Sequence, residues 1–153
     1  MQATLGRNRF GPWTLITRGS SGIGREFARQ VAGSGINIFL VARREGLLKQ
    51  VTAEPSQRFG VEHCVISLGP FASEHLSRNC RGDKDVDIGM VISNAGGANR
   101  GRFTNKEPKE LAMTLRLRAH MHAEPALHFG RRLMERGSNG MLFAGAMGAD
   151  LRC

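Results

Sequence analysis

Tyrosine is absent from this 153-residue sequence, tryptophan occurs once and cysteine three times, and 13 acidic side chains stand against 22 basic ones. Each scarcity excludes something. No apolar run approaches the roughly 20 residues of a membrane-spanning helix, so no helical span is expected. The first ten residues carry Arg7 and Arg9 without an apolar block, which does not fit a secretory leader. Cys64, Cys80 and Cys153 are odd in number, far apart and in no CxxC pair. That spacing argues against a disulfide framework and against a zinc site, and fits a reducing cytoplasm.

What is present is a surplus of positive charge, +9 at neutral pH. Concentrated charge of this sign would suit nucleic acid, whose binding is dominated by phosphate contacts. Here 18 of the 22 basic residues are arginines, scattered from Arg7 to Arg152 and never more than two in a row. There is no basic tail, no metal finger and no aromatic–basic alternation for stacking on bases. The arginines therefore read as solvated faces, and neither nucleic acid nor membrane is expected as a partner.

No repeat or linker divides the chain, so residues 1–12 read as an extension and residues 13–153 as one domain. Short apolar runs alternate with longer segments of helical period. Trp13–Thr17, Ile38–Ala42, Val61–Ile66, Ile88–Ile92 and Met141–Ala144 are the predicted strands. Helices are predicted after Gly24, with Ile23, Phe27 and Val31 at i, i+4 spacing, and over Glu45–Phe59, Ser73–Arg81 and Lys109–Arg136. Pro55 and Pro125 fall inside two of these segments. An interior proline removes a hydrogen bond, clashes with the i−4 carbonyl and costs about 3 kcal/mol, so both helices are expected to be damaged.

Nearly uniform apolar strands alternating with helices predict an α/β fold, a doubly wound parallel sheet of about five strands with helices on both faces. The chain ends soon after the fifth strand, so that edge of the sheet and the apolar face of the long helix are expected to be incomplete. In such a fold ligands sit outside the carboxyl ends of the strands, where Gly19–Gly24, Arg43-Arg44 and Asn94–Gly97 fall.

The turn Gly19-Ser20-Ser21-Gly22-Ile23-Gly24 directly follows the first strand and opens a helix. A turn in that place aims backbone N–H groups and a helix N-terminus at a pyrophosphate, with glycine where the backbone approaches the ligand. Ser20 and Ser21 also read as caps of that helix. An acidic residue about 20 positions on would favour NAD by binding the adenosine 2′-hydroxyl. Arg43 stands 19 positions after Gly24, with no Asp or Glu between Ile36 and Arg44. It reads either as a solvated arginine at a helix start or as a partner of the NADP 2′-phosphate. The first alternative places a cation against the helix dipole, which favours the second.

Together Thr17-Arg18-Gly19-Ser20-Ser21-Gly22-Ile23-Gly24, Val41-Ala42-Arg43-Arg44 and Ser93-Asn94-Ala95-Gly96 resemble the short-chain dehydrogenases/reductases. The likeness runs from about Trp13 to Met147 in the family's order and spacing. It implies a Rossmann-like fold and hydride transfer between NAD(P)(H) and an alcohol or carbonyl. It implies that Gly19, Ser21, Gly22, Ile23 and Gly24 hold the pyrophosphate, that Arg43 and Arg44 meet the NADP 2′-phosphate, and that Asn94, Ala95 and Gly96 line the nucleotide. Dimerisation through the long helix, residues 109–136, is a further implication.

The departures concern the same places. The first glycine of the family's turn is Arg18, which either crowds the cofactor or reaches its phosphates. Ser67-Leu68 stands where an aspartate often holds the adenine, and the family's asparagine pair survives as Ser93-Asn94. The family's general acid/base is a tyrosine, assisted by lysine, serine and asparagine, and this chain has no tyrosine. Ala146 and Arg118 fall in the serine and asparagine positions, and the chain ends before the tyrosine–lysine segment. No residue is assigned a catalytic role. His120 and His122, two apart on a helix, point too far apart to share a metal, so no metal is assigned either. The expected protein binds NADP in preference to NAD. Its alternatives are a non-catalytic nucleotide-binding or interaction module and a truncated, decaying gene product.

Overall fold

The structure is a computed structural model that describes residues 6–42, 45–67, 86–94, 103–137 and 140–143. After a helical turn, α1 (Arg7–Phe10), the strands are β1 (Trp13–Thr17), β2 (Asn37–Ala42), β3 (His63–Ser67), β4 (Ile88–Ser93) and β5 (Gly140–Phe143). Three longer helices are α2 (Gly22–Gly33), α3 (Glu45–Phe59) and α4 (Pro108–Arg136). The strands form one parallel sheet in the order β3-β2-β1-β4-β5. That order reverses beside β1, which opens a crevice between β1 and β4 at their carboxyl ends.

The alternation of each strand sorts its side chains between two cores. Ile16, Ile38, Leu40, Met90 and Ile92 pack with Ala28, Val31 and Ala32 of α2 and Val51 of α3, joined by Phe10. Leu15, Phe39, Val41 and Val91 point the other way, onto Phe129 and Leu133 of α4. Both faces of the sheet are therefore covered, as the apolar strands predict.

Local chemistry fixes the helix ends. Pro108 opens α4 with its φ already helical, and Gly137 closes it in the left-handed conformation, its N–H donating to the Met134 carbonyl. Two expectations are corrected here. The core face of α2 is Gly24, Ala28, Val31 and Ala32, with Phe27 partly buried beside it, and of the Ile23, Phe27 and Val31 series Ile23 alone is exposed. Small residues at i, i+4, i+7 and i+8 let this helix lie close to the sheet. Second, α3 and α4 run unbroken through Pro55 and Pro125. Each proline removes one donor, but both are buried, so packing of the ring offsets part of the loss.

Cys64, buried on β3, is disulfide-bonded. The odd number and wide spacing of the cysteines argue against a disulfide framework but do not bar a single bridge. The predicted helix Ser73–Arg81 also lies outside the described residues. Among the described residues no helix is long and apolar enough to cross a membrane.

Candidate functional site

The site begins where β1 ends. Arg18 is the only described non-glycine residue with positive φ, at 53°, a backbone that costs an L-residue about 1–2 kcal/mol. Its N–H donates to the Val41 carbonyl of β2 at 2.7 Å. Gly22 continues the turn at φ 56° with open space around it, as close approach of a ligand requires. Gly24 is the opposite case. A Cβ there would run into the Arg18 carbonyl oxygen and lie 2.6 Å from Asn94 Nδ2.

Asn94 closes the arrangement from β4. Its side chain is buried against Gly24, and its N–H donates to Thr17 Oγ1 at 2.9 Å. Thr17, Gly24 and Asn94 thus lock the ends of β1, α2 and β4 to one another. Above them the N-terminus of α2 is bare: Ser21 is the N-cap residue but makes no side-chain capping bond, and the first turn holds no acid. The expected serine cap is not formed, because the Ser21 hydroxyl does not take up the orphaned N–H groups. Those N–H groups and the positive end of the dipole remain available to an anion.

Of the sequence-expected cofactor residues, Gly19, Ser21, Gly22, Ile23, Gly24 and Asn94 come together here. Gly19 is buried over Leu40, and Ser21, Gly22 and Ile23 are exposed at the mouth. Arg43, Arg44, Ala95 and Gly96 lie outside the described residues, as does Ala146. Arg43 and Arg44 directly follow Ala42, the last residue of β2.

One pair went unread in the sequence. Ser93 Oγ at the end of β4 and His122 Nδ1 on α4 share a hydrogen bond of 2.6 Å, although 29 positions separate them. Burial holds the His122 imidazole below the usual histidine range, which favours its neutral form. In sequence Ser93-Asn94 reads as the remnant of an asparagine pair and the histidines as candidate metal ligands, and neither reading joins Ser93 to His122. The i+4 relation of His122 to Arg118 was the available signal. Among the described residues no group of His, Cys, Asp or Glu is placed to hold a metal.

A glycine turn that bares helix N–H groups at the carboxyl ends of a doubly wound sheet is the arrangement at which Rossmann-type folds hold a dinucleotide. A profile of the family described as short chain dehydrogenase matches residues 12–142. The chain belongs to the short-chain dehydrogenase family.

Among similar proteins is a very-long-chain 3-oxoacyl-CoA reductase of Laccaria bicolor, 38% identical over 88 residues. That match covers 56% of this chain and 26% of the relative. A very-long-chain 3-oxoacyl-CoA reductase-like protein of Arabidopsis thaliana is 32% identical over 118 residues, 75% of this chain and 37% of its own. The solved short-chain dehydrogenase from Sphingobium yanoikuyae in complex with NADPH superposes with a TM-score of 0.76 at 27% identity. It is matched by 86% of this chain, which spans 52% of its length. A 7β-hydroxysteroid dehydrogenase has the same fold, with a TM-score of 0.79 at 21% identity over 90% of this chain and 53% of its own.

Proposed function

We propose that this chain binds NADP(H) in preference to NAD(H) and does not by itself carry out the family's hydride transfer. The observation that carries the binding reading is the uncapped, acid-free N-terminus of α2 behind the Gly24–Asn94–Thr17 lock. Gly22, Ile23 and the bare N–H groups would hold the pyrophosphate, with Asn94 fixing the floor of the crevice. Arg43 would pair with the 2′-phosphate, with Arg44 beside it, and Ala95 and Gly96 would line the nucleotide. When bound, the coenzyme supplies or accepts hydride. The chain's own residues orient it and exclude water from one side.

The absence of tyrosine supports the second half of the proposal, since no phenol is available to exchange a proton with the carbonyl oxygen. Its relatives' names point to long-chain 3-oxoacyl-CoA as a substrate class for the family branch. Thermal-shift titration tests the binding: NADP should raise Tm more than NAD at equal concentration. Equal shifts remove the preference, and no shift with either removes the binding.

Self-association through α4 belongs to the same proposal. Met113, Leu127 and Met134 are all exposed, and at 100° per residue they fall within about 60° of one another on the side away from Phe129 and Leu133. A second copy would cover this stripe. Light scattering should give a dimer mass that Leu127→Glu converts to monomer.

A further inference from the structure

Phe129 and Leu133 hold α4 to the sheet by apolar contact, and His122 lies on the same stripe, within about 20° of both at 100° per residue. A leucine would suit such a place. The chain instead puts an imidazole there, against a serine that is fully buried at the last position of β4. The two kinds of contact differ in what they fix. Apolar packing is non-directional and holds a helix to a sheet over a range of small displacements. A hydrogen bond of 2.6 Å fixes one oxygen against one ring nitrogen. Burial favours the neutral ring, and in either neutral tautomer Nδ1 can hold the contact, accepting from the Ser93 hydroxyl or donating to it.

What that oxygen fixes lies one peptide bond away. Side chains alternate along β4, so Ser93 points with Val91 toward α4, and Asn94 points to the other face, where it meets Gly24. The Asn94 N–H, part of the peptide unit that joins it to Ser93, donates to Thr17 Oγ1. Asn94 lies just beyond the last paired residue of β4, where the sheet ladder no longer sets the peptide plane. We infer that His122 is a positioning residue: through Ser93 it sets the Asn94 peptide, and with it the lock of Thr17, Gly24 and Asn94, so that α4 tunes nucleotide affinity from the opposite face of β4. It acts through Ser93 and is given no part in proton transfer. This rests on the reading of the site as a nucleotide site.

Three substitutions separate direction from packing. His122→Leu fills the space without the bond, His122→Asn returns an amide near the place of Nδ1, and Ser93→Ala removes the other partner. Amide exchange in the nucleotide-free protein, followed by NMR, reads the lock, and NADPH fluorescence reads affinity. His122→Leu should speed exchange of the Asn94 amide and weaken NADPH binding, each about tenfold, as loss of one directional bond implies. Exchange at Leu15, in the centre of β1, should stay within about threefold, because the packing of α4 is kept. His122→Asn should recover most of both effects. Combining His122→Leu with Ser93→Ala should weaken NADPH no further than either alone, since both remove the same bond. Equal acceleration at Leu15 and Asn94 makes the role merely structural and overturns the inference. Unchanged NADPH affinity in His122→Leu, or no recovery in His122→Asn, overturns it too, and each leaves the nucleotide site in place. Failure of the wild type to bind NADPH or NADH overturns the reading of the site and this inference with it.

Discussion

The turn between β1 and α2 and the face of α4 against β4 meet at the same edge of the sheet, yet they are built from different materials. The turn is backbone: a bare helix N-terminus, an open Gly22, a Gly24 with no room for a methyl, and Asn94 tied to Thr17 through its main-chain N–H. The α4 side is made of side chains: Phe129 and Leu133 in the core, His122 hydrogen-bonded to Ser93, and His128 Nε2 with no hydrogen-bond partner among the described residues. At about 43 Å long, α4 outreaches strands of four to six residues, which leaves Leu115 exposed although it falls on the sheet-facing side. Holding a dinucleotide asks mostly for backbone geometry, which many sequences supply. Moving a proton asks for one functional group at one position, which few substitutions preserve.

The two regions should therefore fail differently. Phe129→Ala empties a buried aromatic site and should cost about 3–5 kcal/mol in chemical denaturation. NADP affinity of the molecules that remain folded should stay within about twofold. Gly24→Ala should cost less stability, about 1–3 kcal/mol, because the backbone shifts to admit the methyl. It should nevertheless abolish the NADP-induced rise in Tm. Reversal of this order, with binding lost in the first variant and kept in the second, breaks the contrast between the regions.

The pH dependence sharpens it further. The folded-state pKa of His122 lies below its unfolded value, so its contribution to stability is complete above about pH 6.5. It is lost as pH falls from there through the lowered folded value, because the unfolded chain takes the proton more readily. Tm should drop on acidification toward pH 5, and His122→Gln should flatten that part of the curve. An unchanged slope in the variant would show that the Ser93–His122 contact does not govern it. The smallest effect belongs to the central strand shared by both regions. Thr14 is fully buried and its hydroxyl has no hydrogen-bond partner among the described residues, so Thr14→Val should stabilise the chain by about 1 kcal/mol in the same denaturation experiment.

Most of the fold was legible because the strands are short, mostly apolar runs that alternate with helical segments. The residues predicted for β1 and α3 are those observed, and the start of β3 moves only from Val61 to His63. Pro55 and Pro125 misled, since a rule about interior prolines weighs the lost hydrogen bond but not the burial of the ring. Ile23 shares the i, i+4 spacing of Phe27 and Val31 yet is exposed, because small residues set the close approach of α2. The turn was readable from its glycines, but its lock was not. Nothing in a sequence pairs Thr17 with Asn94 or Ser93 with His122 across 77 and 29 positions until the sheet order brings β1, β4 and α4 together.

One cuvette can test whether binding and chemistry have come apart in this chain. NADPH is titrated with the protein while its fluorescence reports binding, and a panel of carbonyl compounds is then added while absorbance at the coenzyme's reduced band is followed. Saturable binding with a flat absorbance trace is the result expected. Oxidation of NADPH that depends on both protein and carbonyl, or no binding by correctly folded protein, would contradict it.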